Sequence, residues 1–119
     1  MCADVTVVYS FHSENKEKGA SGPVKLTSSY TELNVGDRLI IKRDSTTPIE
    51  AREIRFLQDS NYDLLEFVDI VTYQRGFADG IILRAVKEGE TQIQIVPRNN
   101  DPRYSAVLSS AILRIKITA

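Results

Sequence analysis

The sequence has few of the residues from which metal sites, disulfides and nucleophilic active sites are built. Its 119 residues include one cysteine, Cys2, one histidine, His12, and no tryptophan. A single cysteine cannot form a disulfide within the chain, and one histidine with one cysteine cannot make a Cys/His zinc cluster. A Ser/His/Asp or Cys/His site would have to use His12, which lies in a polar stretch typical of a loop. We therefore predict that the protein is not an enzyme and uses no cofactor or metal.

Long hydrophobic runs and an excess of charge of one sign are also missing. No stretch approaches the roughly 20 apolar residues that span a bilayer, so we predict no transmembrane segment. Fifteen basic and sixteen acidic residues give a net charge of −1, and the basic residues are scattered along the chain. Without a basic patch there is nothing to attract a phosphate backbone, so nucleic acid is not an expected partner.

The sequence does contain enough apolar residues for one hydrophobic core. Hydrophobic residues make up 42% of the chain and charged residues 26%, close to the average of globular proteins. A length of 119 residues suits one domain. We therefore predict a single domain over residues 1–119 that is stabilised by packing.

Apolar and polar residues alternate in many short segments, which is the pattern of strands with one buried face. The clearest segments are Ile93/Ile95 and Leu113/Ile115/Ile117, whose five apolar side chains should point inward. The polar residues between them should point outward: Gln92, Gln94, Arg114 and Lys116. Six further strands are predicted at Val5/Val7/Tyr9, Val24/Leu26, Leu39/Ile41, Ile54/Phe56, Leu65/Phe67/Val71 and Ile81/Leu83/Ala85. This spacing predicts an all-β, immunoglobulin-like antiparallel β-sandwich of seven to eight strands.

One segment allows two interpretations. Thr47-Pro48-Ile49-Glu50 has the form of a helix capping box, and good helix formers follow from Ala51 to Gln58. Ile54 and Phe56 also alternate as in a strand, and we prefer the strand. Phe56 and Phe67 are expected in the core. Loops are expected where glycine, proline and asparagine concentrate, at 10–22, 44–48, 59–61 and 97–104.

Two segments resemble bacterial immunoglobulin-like domains of the invasin and intimin type. In the first, Gly80 to Ile95, one strand turns through Gly89 and returns as Thr91-Gln92-Ile93-Gln94-Ile95; the second is Leu33 to Ile41. The resemblance implies a non-catalytic, extracytoplasmic binding or spacer module of a bacterial surface or secreted protein. Its partner would be a protein or another cell-surface component. Cys2 would then be a candidate lipid anchor, the alternative being an ordinary free thiol.

The order of the loops also resembles that of chagasin-type inhibitors of papain-family cysteine proteases, which are immunoglobulin-like as well. Those inhibitors use three loops, with an Asn-Pro-Thr-Thr-Gly motif, a glycine-rich motif and an Arg-Pro-Trp motif. The corresponding places here hold Thr46-Thr47-Pro48, Gly76-Phe77-Ala78-Asp79-Gly80 and Pro97-Arg98. Tryptophan is missing, the first motif is rearranged, and three residues separate the two glycines. The resemblance implies protease inhibition as the alternative function.

On either interpretation we expect the function to lie in loops held by a rigid scaffold of strands. Aromatic and arginine side chains supply a disproportionate share of binding energy, and Phe77 and Tyr104 are the anchors we would choose. The competing interpretation is that the loops only close the sandwich. The candidate binding residues are Thr46, Thr47, Phe77, Asp79, Arg98, Arg103 and Tyr104.

Overall fold

Strands make up nearly all of the regular structure in the part of the chain that the structure describes. The structure is a computed structural model that describes residues 2–10, 13–15, 20–21, 24–44, 54–58, 62–72, 78–97 and 110–119. In these ranges the strands are β1 (Asp4–Ser10), β2 (Ser13–Asn15), β3 (Ala20–Ser21), β4 (Lys25–Leu26), β5 (Tyr30–Asn34), β6 (Arg38–Arg43), β7 (Ile54–Gln58), β8 (Leu65–Thr72), β9 (Ala78–Ala85), β10 (Gly89–Pro97) and β11 (Ala111–Thr118). One turn of 3-10 helix, Tyr62–Leu64, precedes β8.

Nine of these strands form two sheets that enclose the core. The first sheet has the order β4-β1-β6-β9-β8 and the second β5-β11-β10-β7, while β2 and β3, among the described strands, pair only with each other. The orders β1-β6-β9-β8 and β11-β10-β7 are those of the two sheets of an immunoglobulin-like sandwich. The predicted all-β sandwich is therefore confirmed.

The sandwich differs in detail from the predicted one. Two strand pairs are parallel, β1 with β6 and β5 with β11, so both sheets are mixed. The short pair β2 and β3 falls inside the segment 10–22 that was expected to be a loop. β5 is an additional strand; its only buried side chain is Leu33, so its sequence shows no repeated apolar alternation.

The core forms where the inward faces of the two sheets meet. The five side chains predicted to point inward, at positions 93, 95, 113, 115 and 117, are at most 1% exposed. They pack with Leu39, Ile41 and Leu83 from the first sheet, which are buried to the same degree. Arg114 and Lys116 are exposed. The predicted register of β10 and β11 is confirmed, and each buried side chain of this size stabilises the fold by about 1.5–3 kcal/mol.

Residues 54–58 form a strand, as the alternation favoured over a helix. β7 pairs antiparallel with β10, with Ile54 opposite Pro97 and Gln58 opposite Ile93. Phe56 is partly buried and packs against the core. The capping-box motif at 47–50 lies outside the described residues.

The prediction that Phe67 belongs to the core is wrong, because its side chain is 57% exposed. β8 is the outer strand of the first sheet, and a bulge between Phe67 and Asp69 interrupts its pairing with β9. Among the side chains of β8 that the structure describes, only Leu65 at the start of the strand is buried. The apolar alternation of β8 therefore does not correspond to a buried face.

A tight turn closes one end of the sandwich, which we call the closed end: the turn Asn34–Asp37 together with Ala85 and Thr118. The Asp37 amide donates to the Asn34 carbonyl oxygen at 2.9 Å. Gly36 has a φ of 99°, a conformation that glycine adopts without steric penalty. Two other amides of the turn donate to the carbonyl oxygens of Ala85 and Thr118, each at 2.8 Å. Because Ala85 ends β9 and Thr118 ends β11, the turn joins the two sheets.

The Asp37 carboxylate ties the start of β1 to the closed end. It accepts hydrogen bonds from the backbone amides of Ala3 and Asn34, each at 2.9 Å. These two bonds, that from Ala3 first, lower the pKa of Asp37 because they favour the charged carboxylate. Cys2 is exposed beside this anchor, close to Gly36. The N-terminal strand therefore starts at the closed end and runs away from it.

Candidate functional site

Three strand boundaries lie at the end of the first sheet opposite the closed end: the end of β6, the start of β9 and the end of β8. β6 and β9 are antiparallel, with Lys42 near the end of β6 opposite Gly80 near the start of β9. β8 and β9 are also antiparallel, with Val71 opposite Gly80. The segments 45–53 and 73–77 therefore both leave the described strands at this end.

In the second sheet, the start of β7, the end of β10 and the start of β11 lie at the corresponding end. Ile54, the first residue of β7, lies opposite Pro97, the last residue of β10. Ala111, the first residue of β11, lies opposite Ile95. The segments 45–53 and 98–109 are therefore attached to neighbouring strands of this sheet.

An aromatic pair shows that these ends of the two sheets face each other. The rings of Tyr9 and Phe56 meet edge to face, with their centroids 6.0 Å apart. Tyr9 lies opposite Arg43 in the first sheet, and Phe56 lies opposite Ile95 in the second. We call this the loop end, defined by the strand-boundary residues Arg43, Ile54, Val71, Gly80, Pro97 and Ala111.

The loop end rests on backbone that is held in place. The Asp44 amide donates to the carbonyl oxygen of Tyr9 at 2.8 Å, so the chain is fixed where segment 45–53 begins. Gly80 lies so close to β6 that a Cβ atom there would be 2.0 Å from the carbonyl oxygen of Ile41. Only glycine allows β9 to approach β6 at this distance, so Gly80 positions the strand that follows segment 73–77.

The structure describes only one of the seven predicted site residues. Asp79 lies in β9, where only its backbone is described, and not at a loop tip as the sequence analysis expected. The difference arises because β9 extends its pairing with β8 back to Ala78, through an irregularity at Val71/Thr72. The remaining six lie outside the described residues: Thr46, Thr47, Phe77, Arg98, Arg103 and Tyr104.

Sequence reasoning selected the three segments but missed the residues that bring them together. Tyr9 and Phe56 each belong to an apolar alternation, which predicts burial but not which rings meet. Gly80 was taken as part of a glycine-rich loop motif, whereas its structural role is the close approach of two strands. Neither role has a signal in the local sequence, because each depends on strands that are distant along the chain.

The described residues offer no metal site: they contain no group of three or more histidine, cysteine, aspartate or glutamate side chains that could hold an ion. A shallow depression of about 410 Å³ lies on the outer face of the second sheet, beside Tyr30, Gln92 and Arg114. The Tyr30 hydroxyl donates to Glu32 at 2.8 Å, and this bond is the main reason why the pKa of Tyr30 is raised. The depression is open and lies away from the loop end.

No helix in the described ranges is long and apolar enough to cross a membrane.

Comparison with solved structures supports the fold. The chain is similar to the cysteine protease inhibitor EhICP2 from Entamoeba histolytica, with 15% sequence identity and a TM-score of 0.61 over 98% of this chain and 96% of that chain. It also matches the inclusion body protein PixA from Burkholderia cenocepacia, with 12% identity and a TM-score of 0.47 over 99% and 95% of the two chains. Amebosin matches with 14% identity and a TM-score of 0.39 over 99% and 97%.

At these identities the similarity to the inhibitor shows a shared fold, and the two lower TM-scores add no further argument. No protein-family profile matches the chain, and no curated protein matches it in sequence. The resemblance to bacterial immunoglobulin-like domains stays a prediction.

Proposed function

We propose that the protein is a chagasin-like inhibitor of papain-family cysteine proteases and that it binds its target through the loop end. The observation that carries this proposal is the meeting of the strand boundaries of three segments, 45–53, 73–77 and 98–109, at one end of a rigid sandwich. These are the segments in which the sequence resembles the three inhibitory loops. The fold shared with EhICP2 supports the same interpretation.

The scaffold suits a protein that inhibits without performing chemistry. Blocking a cleft needs a fixed surface with well-placed contacts, and a fixed surface loses little conformational entropy on binding. The amide of Asp44 and the close approach at Gly80 hold the backbone at two of the three segments. No nucleophile with a neighbouring base is needed, which agrees with a sequence that has one histidine.

The proposed contact residues divide by chemistry. Phe77 and Tyr104 would fill apolar subsites, since aromatic rings bury a large area at a small entropic cost. Arg98 and Arg103 would donate hydrogen bonds to carbonyl or carboxylate oxygens. Thr46 and Thr47 would supply further polar contacts from segment 45–53, and Asp79 would supply one from the start of β9, next to segment 73–77.

The binding or spacer module of a bacterial surface is the less well supported function. A spacer needs two attached ends and no particular chemistry at its loops, whereas here three chemically distinctive segments share one end. A location outside the cytoplasm, on the cell surface or secreted, belongs to the proposal. Cys2 lies at the closed end, so a lipid attached there would leave the loop end accessible.

The proposal predicts that the protein lowers the activity of papain in a dose-dependent manner, with saturation at one inhibitor per enzyme. Phe77→Ala should weaken inhibition about thirtyfold, because removing an aromatic anchor costs about 2 kcal/mol of binding energy. Residual activity against a fluorogenic peptide, titrated with each variant, measures both effects.

Tyr30→Ala is the matched control, since Tyr30 is an exposed aromatic residue on the outer face of the second sheet. It should inhibit as well as the unmodified protein. If the unmodified protein leaves papain fully active, the proposed function is wrong. If both variants lose inhibition equally, binding does not occur at the loop end.

A further inference from the structure

β8, at the edge of the first sheet, exposes three large apolar side chains. Within the described residues it pairs with β9 alone, so its other edge is open to another strand. Phe67, Val68 and Ile70 are 57%, 44% and 45% exposed. A long apolar edge strand is a template for pairing with a second copy of the same chain.

Two features interrupt that template at one position. The bulge between Phe67 and Asp69 breaks the regular spacing of the strand. The Asp69 carboxylate then accepts a hydrogen bond from the Ile70 amide at 2.8 Å. This amide is therefore satisfied by a side chain and is not free to donate to an incoming strand. Bulges and charged side chains are the devices by which natural sheets protect their edges.

Asp69 also disfavours each register that would pair the middle of β8 antiparallel with the middle of β8 from a second copy. With Val68 opposite Val68, Asp69 lies opposite Phe67 and its carboxylate is desolvated against a ring. A shift of one residue places Asp69 opposite Glu66 or opposite Val68, and a shift of two places it opposite Leu65 or opposite the second Asp69. In each of these registers the Asp69 carboxylate loses solvent without facing a positive side chain, and in every register except the one in which Asp69 faces itself this occurs twice, because the pairing is symmetric.

We propose that Asp69, together with the bulge beside it, keeps the apolar edge of β8 from pairing with a second copy of the chain. The other acidic residue of this strand does not serve this purpose. Glu66 forms an ion pair with Arg84 of β9, so its charge is already compensated within the sheet. The proposal does not depend on protease inhibition, because a second copy would pair with the free edge of β8, along the side of the sandwich and not at the loop end.

The test is the association state of the purified chain over a range of concentrations, measured by sedimentation velocity. Asp69→Thr removes the charge and introduces a residue that favours strands. We expect Asp69→Thr to self-associate with a dissociation constant at least about tenfold lower than that of the unmodified protein. Glu66→Thr is the matched control on the same strand and should behave as the unmodified protein does.

A second variant separates edge pairing from misfolding. In Asp69→Thr combined with Phe67→Lys, the exposed ring is replaced by a charge, and the chain should return to a monomer. Far-ultraviolet circular dichroism should give the same β-rich spectrum for all variants. The proposal is overturned if Asp69→Thr associates no more than the unmodified chain, if Glu66→Thr associates equally, or if the double variant associates as strongly as Asp69→Thr.

Discussion

Ile95→Ala is expected to lower the free energy of unfolding by about 2–5 kcal/mol, the cost of a core truncation that leaves a cavity. Ile95 is fully buried in β10, and it lies opposite Phe56 on one side and Ala111 on the other. Strands β7 and β11 hold the position on both sides, so the cavity cannot close by the movement of one side chain. Chemical denaturation followed by circular dichroism measures the effect.

Gln92→Ala is the control for this substitution, since it lies in the same strand on the outward face. Its effect should stay within about 0.5 kcal/mol. Equal losses at positions 92 and 95 would mean that β10 does not present its isoleucines to the core, and the register of the second sheet would then be wrong.

Gly80→Ala is expected to destabilise the fold by about 3 kcal/mol, the upper part of the range for overpacking. The added Cβ would lie 2.0 Å from the Ile41 carbonyl oxygen and 2.8 Å from the Cα of Lys42. Both are backbone atoms, so the clash can be relieved only if β6 and β9 separate. Because Gly80 lies at the loop end, this separation should also weaken the inhibition of papain.

Lys42→Ala tests whether the effect belongs to the added atom. Lys42 lies opposite Gly80, and its truncation removes atoms without adding any. It should change stability by about 0.5 kcal/mol or less. A stability of Gly80→Ala equal to that of the unmodified protein would show that the two strands are farther apart than described.

The sequence predicts the fold well where one face of a strand is buried and the other is exposed. Ile93, Ile95 and the alternating residues of β11 are of this kind, and their burial agrees with the pattern. The strand at Ile54 and Phe56 was also recognised, although a helix was a reasonable alternative. In these segments the apolar face of the alternating pattern is the face that is buried in the core.

The sequence does not predict burial or strand pairing where these depend on the position of the strand in the sheet. Phe67 has the same alternating neighbours as Phe56, yet it lies on an edge strand that the second sheet does not cover. The parallel pairing of β1 with β6 depends on the path of the chain between them, which the alternation of apolar residues does not indicate. The bulge in β8 likewise has no local signal, since Asp69 reads as an ordinary polar residue.

The candidate site divides in a similar way. The sequence selected the segments around Thr46, Phe77 and Arg98 by composition and resemblance. Their common location depends on strand order and register, because Pro97 lies opposite Ile54 and Gly80 lies opposite Lys42. The candidate binding side chains can therefore be recognised from short stretches of sequence. Their common location is set by pairing between strands that are distant along the chain.

We propose that the loop end, and not the closed end, enters the active-site cleft of the protease. Cys2 is the single cysteine, it is exposed, and it lies at the closed end. It can therefore be coupled to a polyethylene glycol maleimide at one defined position. A second variant, with Cys2→Ser and Thr47→Cys, carries the same polymer between β6 and β7.

The decisive measurement is the inhibition constant of both coupled proteins against papain, with excess reagent removed before the enzyme is added. Polymer at Cys2 should leave the inhibition constant unchanged, and polymer at position 47 should abolish inhibition. The uncoupled variant loses only the polar contact of Thr47 and should still inhibit measurably. Loss of inhibition on coupling at Cys2, or full inhibition with polymer at position 47, would contradict the account.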